Sequence, residues 1–259
     1  MKILLITDIH YGSNSNYEKL GSDEYINSFG SMFDKFTSQV QKAISEHDLV
    51  INLGDLINET TVEEDIVRYK KANALLDVGV PVYNVAGNHD LNRLSRQQLS
   101  EIFGMSKLYY SFDQGGYHHV VLDGSRDEPK QLHRIDPKQL IWLKEDLEET
   151  DLPVLIYCHY PVDNQNLDSN YYFRKHPERG FIRNKDEVGE VFENSKKVIA
   201  FFNGHLHFHH QEVINNIQYI TLPSFSENNG NNQPFAQCLS VRLDGNKVET
   251  KMLSFEVEG

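Results

Sequence analysis

The sequence predicts a layered α/β fold. Three observations indicate it: continuous apolar runs of strand length, helical apolar periodicity between those runs, and aromatic or β-branched strand segments later in the chain. Short apolar runs of this kind are typical of strands buried on both faces, which helices then cover. No Pro/Gly/Ser-rich linker divides the 259 residues, so one domain spanning 1–259 is expected.

The strands are predicted from composition and from the turn residues that bound them. Five apolar runs predict the central strands: Ile3–Thr7, Leu49–Leu53, Pro81–Ala86, Val154–Cys158 and Val198–Phe202. Aromatic and β-branched segments predict four more: Tyr110–Asp113, Tyr117–Asp123, Gln218–Leu222 and Cys238–Leu243.

Helices are predicted between the strands. Apolar residues at helical spacing indicate helices near 28–46 and 61–77, and Asp136-Pro137 followed by Leu140, Leu143 and Leu147 indicates a third. The pairs Ser95/Gln98 and Asn184/Glu187 have the spacing of capping residues for two short helices. Three aperiodic polar stretches, 11–25, 160–185 and 224–237, are predicted to be long loops, which in compact domains are usually functional or mobile.

Composition weighs against several classes of partner. Lys and Arg number 25 and Asp and Glu number 38, so the net charge is −13, which disfavours nucleic acid and anionic membrane surfaces. No run reaches the roughly 18 apolar residues of a membrane span, and Met1–Thr7 is too short for a signal peptide. Two cysteines, Cys158 and Cys238, cannot build a disulfide framework. A cytoplasmic location is therefore expected.

Each central strand is followed by residues that can ligate a metal ion. The segments, in chain order, are Asp8-Ile9-His10, Gly54-Asp55, Gly87-Asn88-His89-Asp90, His159, and Asn203-Gly204-His205-Leu206-His207. Each alone is a weak signal, because an isolated D-x-H or H-x-H usually lies on a surface. If the strands share one sheet and run parallel, their carboxyl ends meet at one edge, where α/β sheets bind ligands.

The residue types predict a dinuclear metal centre. Imidazole, carboxylate and amide groups suit Mn, Fe or Zn. Seven groups, with one carboxylate shared, would form two four-ligand sites about 3.5–4 Å apart. The seven candidate ligands are Asp8, His10, Asp55, Asn88, His159, His205 and His207.

The set of motifs resembles the calcineurin-like metallophosphoesterases, whose D-x-H, G-D, G-N-H-[DE], H and G-H-x-H motifs occur here in order from residue 8 to residue 207. The resemblance implies a four-layer α/β/β/α sandwich with two mixed β-sheets flanked by helices. It assigns one ion to Asp8, His10, Asp55 and His207, and the second to Asp55, Asn88, His159 and His205. It also implies that His89 contacts the phosphate and protonates the leaving oxygen, while a hydroxide bridging the metals attacks phosphorus. A purely structural role for His89, orienting the Asn88 loop, is the alternative.

The residues within the motifs favour one branch of the family. Protein phosphatases carry G-D-x-x-D-R-G, whereas this chain has Asn58 and Glu59 at the Asp and Arg positions. The sequence more closely resembles the bacterial cyclic-nucleotide and glycerophosphodiester phosphodiesterases, so hydrolysis of a small phosphodiester is expected. A phosphomonoesterase is the main alternative, and a nuclease or a non-catalytic metal-binding scaffold are further ones.

A locally basic and aromatic segment, 171–183, follows His159 within the loop at 160–185, which is interpreted as a substrate-side insertion. Its arginines, Arg174, Arg179 and Arg183, could bind phosphate, and its aromatic side chains could contact an organic group. The alternative is a solvated loop with its aromatic side chains packed underneath. Neither the metal nor the oligomeric state can be assigned from sequence.

Overall fold

The computed structural model describes residues 1–12, 15–18, 25–28, 33–124, 132–225 and 235–256. Within them, two mixed β-sheets pack face to face and helices cover the outer face of each sheet. This arrangement confirms the predicted four-layer sandwich. None of the described helices is long and apolar enough to cross a membrane.

The first sheet contains three parallel strands extended by an antiparallel pair. Its strands are β1 (Lys2–Ile6), β4 (Leu49–Asn52), β5 (Val82–Asn84), β12 (Phe235–Asp244) and β13 (Lys247–Glu256). Their spatial order is β13-β12-β1-β4-β5, with β1, β4 and β5 parallel. A separate antiparallel ladder joins β2 (Ser15–Glu18) to β3 (Tyr25–Ser28).

The second sheet also has a parallel centre. Its strands are β6 (Tyr110–Gln114), β7 (Tyr117–Val121), β8 (Val154–Tyr157), β9 (Val198–Asn203), β10 (His210–Ile214) and β11 (Ile217–Thr221). The order is β10-β11-β9-β8-β7-β6, and β7, β8, β9 and β11 run parallel while β6 and β10 pair antiparallel at the edges.

Helices cover both outer faces of the sandwich. The helices are α1 (Phe33–Ser45), α2 (Val62–Leu76), α3 (Arg96–Phe103), α4 (Pro137–Glu149) and α5 (Lys185–Ser195). The first three pack on the first sheet, and the last two pack on the second. In β1, Leu4 and Ile6 contact the helices while Ile3 and Leu5 pack against the other sheet. Because both faces are buried, the strand reads as a continuous apolar run instead of an alternating one.

Most predicted helix starts are confirmed. Ser95 forms a full capping box with Gln98, and Asp136 accepts a hydrogen bond from Lys138 N with Pro137 at the first helical position. Asn184 behaves differently, because its side chain makes no capping hydrogen bond. Its amide instead accepts from Ile135 N and donates to Ile135 O, each at 3.1 Å, and so joins the start of α5 to the segment before α4.

The predicted loops have different outcomes. In the stretch 11–25, residues 15–18 form β2, so the prediction of a wholly irregular loop there is wrong. Residues 13, 14 and 19–24 of that stretch lie outside the described residues. Phe29 and Met32 of the first predicted helix also lie outside them, as do residues 226–234 of the third predicted loop. The loop at 160–185 is described throughout. It includes a short 3₁₀ turn, Pro177–Arg179, and α5 begins at its last residue, Lys185.

Candidate metal centre

The five motif-bearing strand ends meet at one end of the sandwich. Contrary to the expectation of one shared sheet, β1, β4 and β5 belong to the first sheet, and β8 and β9 belong to the second. Backbone hydrogen bonds join the turns within each sheet: Asp8 N donates to Gly54 O (3.0 Å), and Gly204 N donates to His159 O (3.1 Å). Between the sheets, His205 N donates to Asp8 Oδ2 at 3.0 Å. The candidate site is therefore built across the sandwich.

Several candidate ligands lie in strained backbone. Left-handed φ values occur at Asp8 (51°), His10 (50°), Asp55 (51°), His205 (69°) and His207 (58°). They make up five of the eight non-glycine residues with positive φ in the described part of the chain. Such conformations cost free energy and persist where surrounding contacts impose them, often at functional sites.

Two glycines allow the turns to approach one another. A Cβ atom at Gly87 would collide with Asp55 N and Oδ1, and one at Gly204 would collide with Thr7 Oγ1 and Asp8 Oδ2. No side chain larger than hydrogen fits at these two positions, because the atoms it would meet belong to the buried residues Asp55, Thr7 and Asp8.

Asp8, His10 and His207 form the first group of potential ligands. His207 Nε2 lies 3.1 Å from Asp8 Oδ1 and 3.2 Å from His10 Nε2. The other ring nitrogen of His10 donates to Asn58 Oδ1 at 3.0 Å, which directs Nε2 toward the group. A histidine whose second nitrogen is held in this way presents a defined lone pair to a metal ion.

Asp55, His159 and His205 form the second group. His159 Nε2 lies 3.2 Å from Asp55 Oδ2, while its Nδ1 donates to Leu53 O at 2.9 Å. His205 donates from Nε2 to Arg179 O at 3.0 Å, which leaves Nδ1 as its lone-pair nitrogen. The potential ligand atoms of each group lie within 4.8 Å of one another.

Asn88 Oδ1 is buried and has no hydrogen-bond partner. An unpaired buried amide oxygen is costly, and a cation bound by Asn88 Oδ1 would satisfy it. The residues present therefore fit a pair of metal ions.

The charges of the groups suit metal binding. Burial lowers the pKa of His10 and of His205 to about 3, so both rings are neutral ligands at pH 7. Burial opposes ionisation of Asp8, but His207 and His159 hold its pKa well below the usual value. Burial likewise opposes protonation of His159, yet Asp55 raises its pKa to about 9. A metal ion at the second group must therefore displace a proton.

His89 lies beside both groups. Its backbone N–H donates to Asp55 Oδ1 at 2.7 Å, and its ring meets His10 edge to face with centroids 4.7 Å apart. Its Nδ1 donates to Glu59 Oε2 at 2.6 Å, and Asn92 Nδ2 donates to the other Glu59 oxygen at 2.8 Å.

Glu59, at the Arg position of the protein-phosphatase motif, is a site residue that the sequence does not predict. The structure shows that Asn58 contacts His10, and that Glu59 contacts His89. The available signal was a carboxylate four residues after Asp55 in the same turn.

Asp90, the last residue of the G-N-H-D motif, has a role that the sequence does not predict. Its Oδ2 accepts hydrogen bonds from Asp55 N (2.9 Å) and Gly87 N (3.0 Å), and Oδ1 accepts one from Leu56 N (3.0 Å). One buried carboxylate thus joins the turns after β4 and β5.

A cavity of about 240 Å³ opens beside the two groups. Its lining combines potential ligands with a wall from the loop at 160–185 and with one histidine without a motif: Asp55, Asn88, His89, His133, Tyr171, Tyr172, Phe173, Arg179, His205 and His207.

The predicted substrate arginines separate in the structure. Arg179 lines the cavity and donates from Nη1 to Tyr172 Oη at 2.8 Å. Arg174 and Arg183 are exposed and are not part of the lining. Phe173 is buried against Leu167 and Leu206, so one aromatic side chain of this loop packs underneath it, as in the alternative interpretation.

The other histidines have separate surroundings. His47 contacts Ala43 O and Ser240 Oγ, and His119 contacts Tyr157 Oη. His118 lies between two carboxylates, Asp113 Oδ1 at 2.6 Å and Asp146 Oδ2 at 2.9 Å. These three stabilise the fold away from the cavity.

Comparison with known proteins places the chain among phosphoesterases. The family model described as calcineurin-like phosphoesterase matches residues 1–209. A "probable cyclic nucleotide phosphodiesterase" of Psychrobacter arcticus is 25% identical over 234 residues, 82% of this chain and 77% of the relative. The "3',5'-cyclic adenosine monophosphate phosphodiesterase CpdA" of Haemophilus influenzae is 25% identical over 228 residues, 86% of this chain and 76% of the relative.

Solved structures share the fold. A dimetal phosphatase from Danio rerio superposes with a TM-score of 0.73 at 19% identity, covering 100% of this chain and 99% of the other.

Proposed function

Because the chain belongs to the calcineurin-like phosphoesterase family, we propose that it hydrolyses small phosphodiesters at a centre of two divalent metal ions. The observation that carries the proposal is the convergence of six predicted ligands, from both sheets, beside a cavity that Asn88, the seventh, also lines and that has an aromatic and basic wall.

In this proposal Asp8, His10, Asp55 and His207 hold one ion, and Asp55, Asn88, His159 and His205 hold the other. The geometry supports Asp55 as the shared ligand, since its Oδ2 lies near His159 and its Oδ1 is positioned by the His89 N–H. The mixed nitrogen and oxygen donors suit Mn, Fe or Zn. When bound, two such ions lower the pKa of a water molecule and offset charge on the phosphoryl oxygens.

The chain supplies the proton for the leaving group. Glu59 accepts a hydrogen bond from His89 Nδ1 and so leaves Nε2 as the nitrogen available to a substrate in the cavity. Burial lowers the pKa of His89, but Asp55 and Glu59 outweigh it, so its pKa lies above the usual value and the ring carries a proton to donate.

The cavity wall supports a phosphate ester that carries an organic group. Tyr171 and Tyr172 present aromatic surface, and Arg179 places a guanidinium in the same lining. Aromatic groups stack on bases or other organic groups, and a guanidinium pairs with phosphate oxygens. The names of the two bacterial relatives agree with a nucleotide diester.

The test is hydrolysis of bis(p-nitrophenyl) phosphate and p-nitrophenyl phosphate by the Mn²⁺-loaded protein, followed by cyclic AMP and other natural diesters. We expect a higher kcat/KM for the diester and loss of turnover in Asp55→Asn. Faster cleavage of the monoester would instead support a phosphomonoesterase. If protein that holds two ions cleaves neither compound, the result would instead support a non-catalytic scaffold.

The role of His89 is tested separately. His89→Ala should retain two metal ions per chain and lose about 10²–10⁴-fold in kcat on diphenyl phosphate, the range of general acid–base catalysis. A reduced metal content in this variant would show that His89 is a ligand instead.

A further inference from the structure

We propose that Asp163, His210 and Glu212 form a third metal site, separate from the catalytic groups, that binds a zinc-type divalent ion and joins the loop at 160–185 to β10. None of these residues belongs to the five motifs of the proposed catalytic centre.

The three side chains converge from two elements. His210 and Glu212 are two residues apart on β10, so their side chains leave the same face of the strand. Their cross-strand partners, Thr221 and Tyr219, therefore lie on that face too. Asp163 comes from the loop after β8, and one ligand atom from each of the three residues lies within 4.8 Å of the others.

The distances suit coordination better than direct pairing. His210 Nε2 lies 3.7 Å from Asp163 Oδ2 and 3.6 Å from Glu212 Oε2. A direct hydrogen bond would bring these atoms to about 2.7–3.2 Å. Ligands about 2.0–2.2 Å from a tetrahedral ion are about 3.3–3.6 Å apart, close to the spacing observed.

Unpaired buried atoms provide independent support. The Asp163 side chain has no exposed surface, and its Oδ1 has no hydrogen-bond partner. His210 Nε2 is also buried and unpaired. A buried carboxylate is costly without a compensating cation, and a metal ion between the two side chains would supply that charge and a partner for His210 Nε2.

The surroundings position Asp163. Gln165 Nε2 donates to Asp163 Oδ2 at 2.9 Å and to Thr221 Oγ1 at 2.7 Å, which fixes the carboxylate beside the end of β11. His210 and Glu212 are 28% and 48% exposed, so an ion can enter from solvent and complete its coordination with water.

The site has a structural consequence for the cavity. The loop that contains Asp163 also carries Tyr171, Tyr172 and Arg179 of the cavity wall. An ion bound by Asp163 and by two residues of edge strand β10 would hold the first part of this loop against the second sheet.

The experiment measures bound Zn²⁺ per chain by elemental analysis after equilibrium dialysis. Its matched control is His209→Gln, because His209 adjoins His210 and instead contacts Thr221 O. We expect His210→Gln and the conservative Asp163→Asn each to bind one Zn²⁺ fewer than the wild type and than His209→Gln.

Equal Zn²⁺ content in all four proteins would overturn the proposal, as would the same loss in His209→Gln. Because Glu212 lies on an exposed strand edge, Glu212→Gln is a second variant that is expected to fold and to bind Zn²⁺ more weakly. Unchanged affinity and content in Glu212→Gln would exclude it as a ligand and overturn the three-residue site.

Discussion

His89, in the G-N-H-D motif, donates a hydrogen bond from Nδ1 to Glu59 Oε2 at 2.6 Å, and this contact leaves its Nε2 as the nitrogen available to a substrate. The pair spans the turns that follow β4 and β5. Burial opposes ionisation of Glu59, but its hydrogen bond to His89 keeps the pKa of the carboxyl below its usual value. Glu59 is therefore an anion that positions the proposed proton donor.

Glu59→Gln is expected to lower kcat about 10–100-fold, the cost of removing an orienting partner. The loss should be larger for diphenyl phosphate than for bis(p-nitrophenyl) phosphate, because the poorer leaving group depends more on protonation. Steady-state kinetics on both substrates measure the difference, with the exposed Glu63→Gln as control. Equal losses on the two substrates would argue for a structural role of Glu59.

Asn58→Ala should weaken metal binding without changing the leaving-group dependence. Asn58 Oδ1 accepts the His10 Nδ1 hydrogen bond, and such partners typically contribute 10–100-fold to metal affinity. Competition with a chelating dye measures the dissociation constants. An unchanged affinity together with a lower kcat would place Asn58 in the substrate step instead.

Gly204→Ala is expected to abolish metal binding at the first group, because the new Cβ would overlap Thr7 Oγ1 and Asp8 Oδ2. Gly189→Ala is the matched control, since nothing lies within 4 Å of a Cβ there and the residue is inside α5. The control should raise the free energy of unfolding by about 0.5–1 kcal/mol through helix propensity. Metal analysis and chemical denaturation test both variants. Full metal content in Gly204→Ala would contradict the required close approach.

The His118 ion pairs predict a stability that depends on pH. The hydrogen bond to Asp146 outweighs burial and, with Asp113, raises the pKa of His118. A raised pKa means that the stabilisation is fully present below the unfolded value of about 6.5 and is lost as pH rises through the folded value. His118→Gln should therefore cost more unfolding free energy at pH 6 than at pH 9. Urea denaturation at the two pH values measures this, and an equal cost at both would show that folding does not raise the pKa of His118.

Local patterns predicted much of the fold because they depend on neighbours in the chain. The apolar run Ile3–Thr7 and the capping pair Ser95/Gln98 both gave the structure expected from them. Asn184 makes no capping hydrogen bond, because its side-chain amide instead bonds the backbone of Ile135, 49 residues away. The division of the strands between two sheets followed from the family resemblance and not from the runs themselves. A strand buried on both faces has the same pattern in either sheet.

The sequence by itself determined the chemistry of the proposed centre: seven nitrogen and oxygen donors, each in a turn after an apolar strand, and glycines where those turns meet. Only the tertiary structure decided which ring nitrogen of His10, His159 and His205 faces the centre, that Asn58 contacts His10 while Glu59 contacts His89, and that Asp163 meets His210. The physical reason is distance along the chain. Donor types and turn preferences are properties of single residues and short segments, whereas these contacts join segments that only folding brings together.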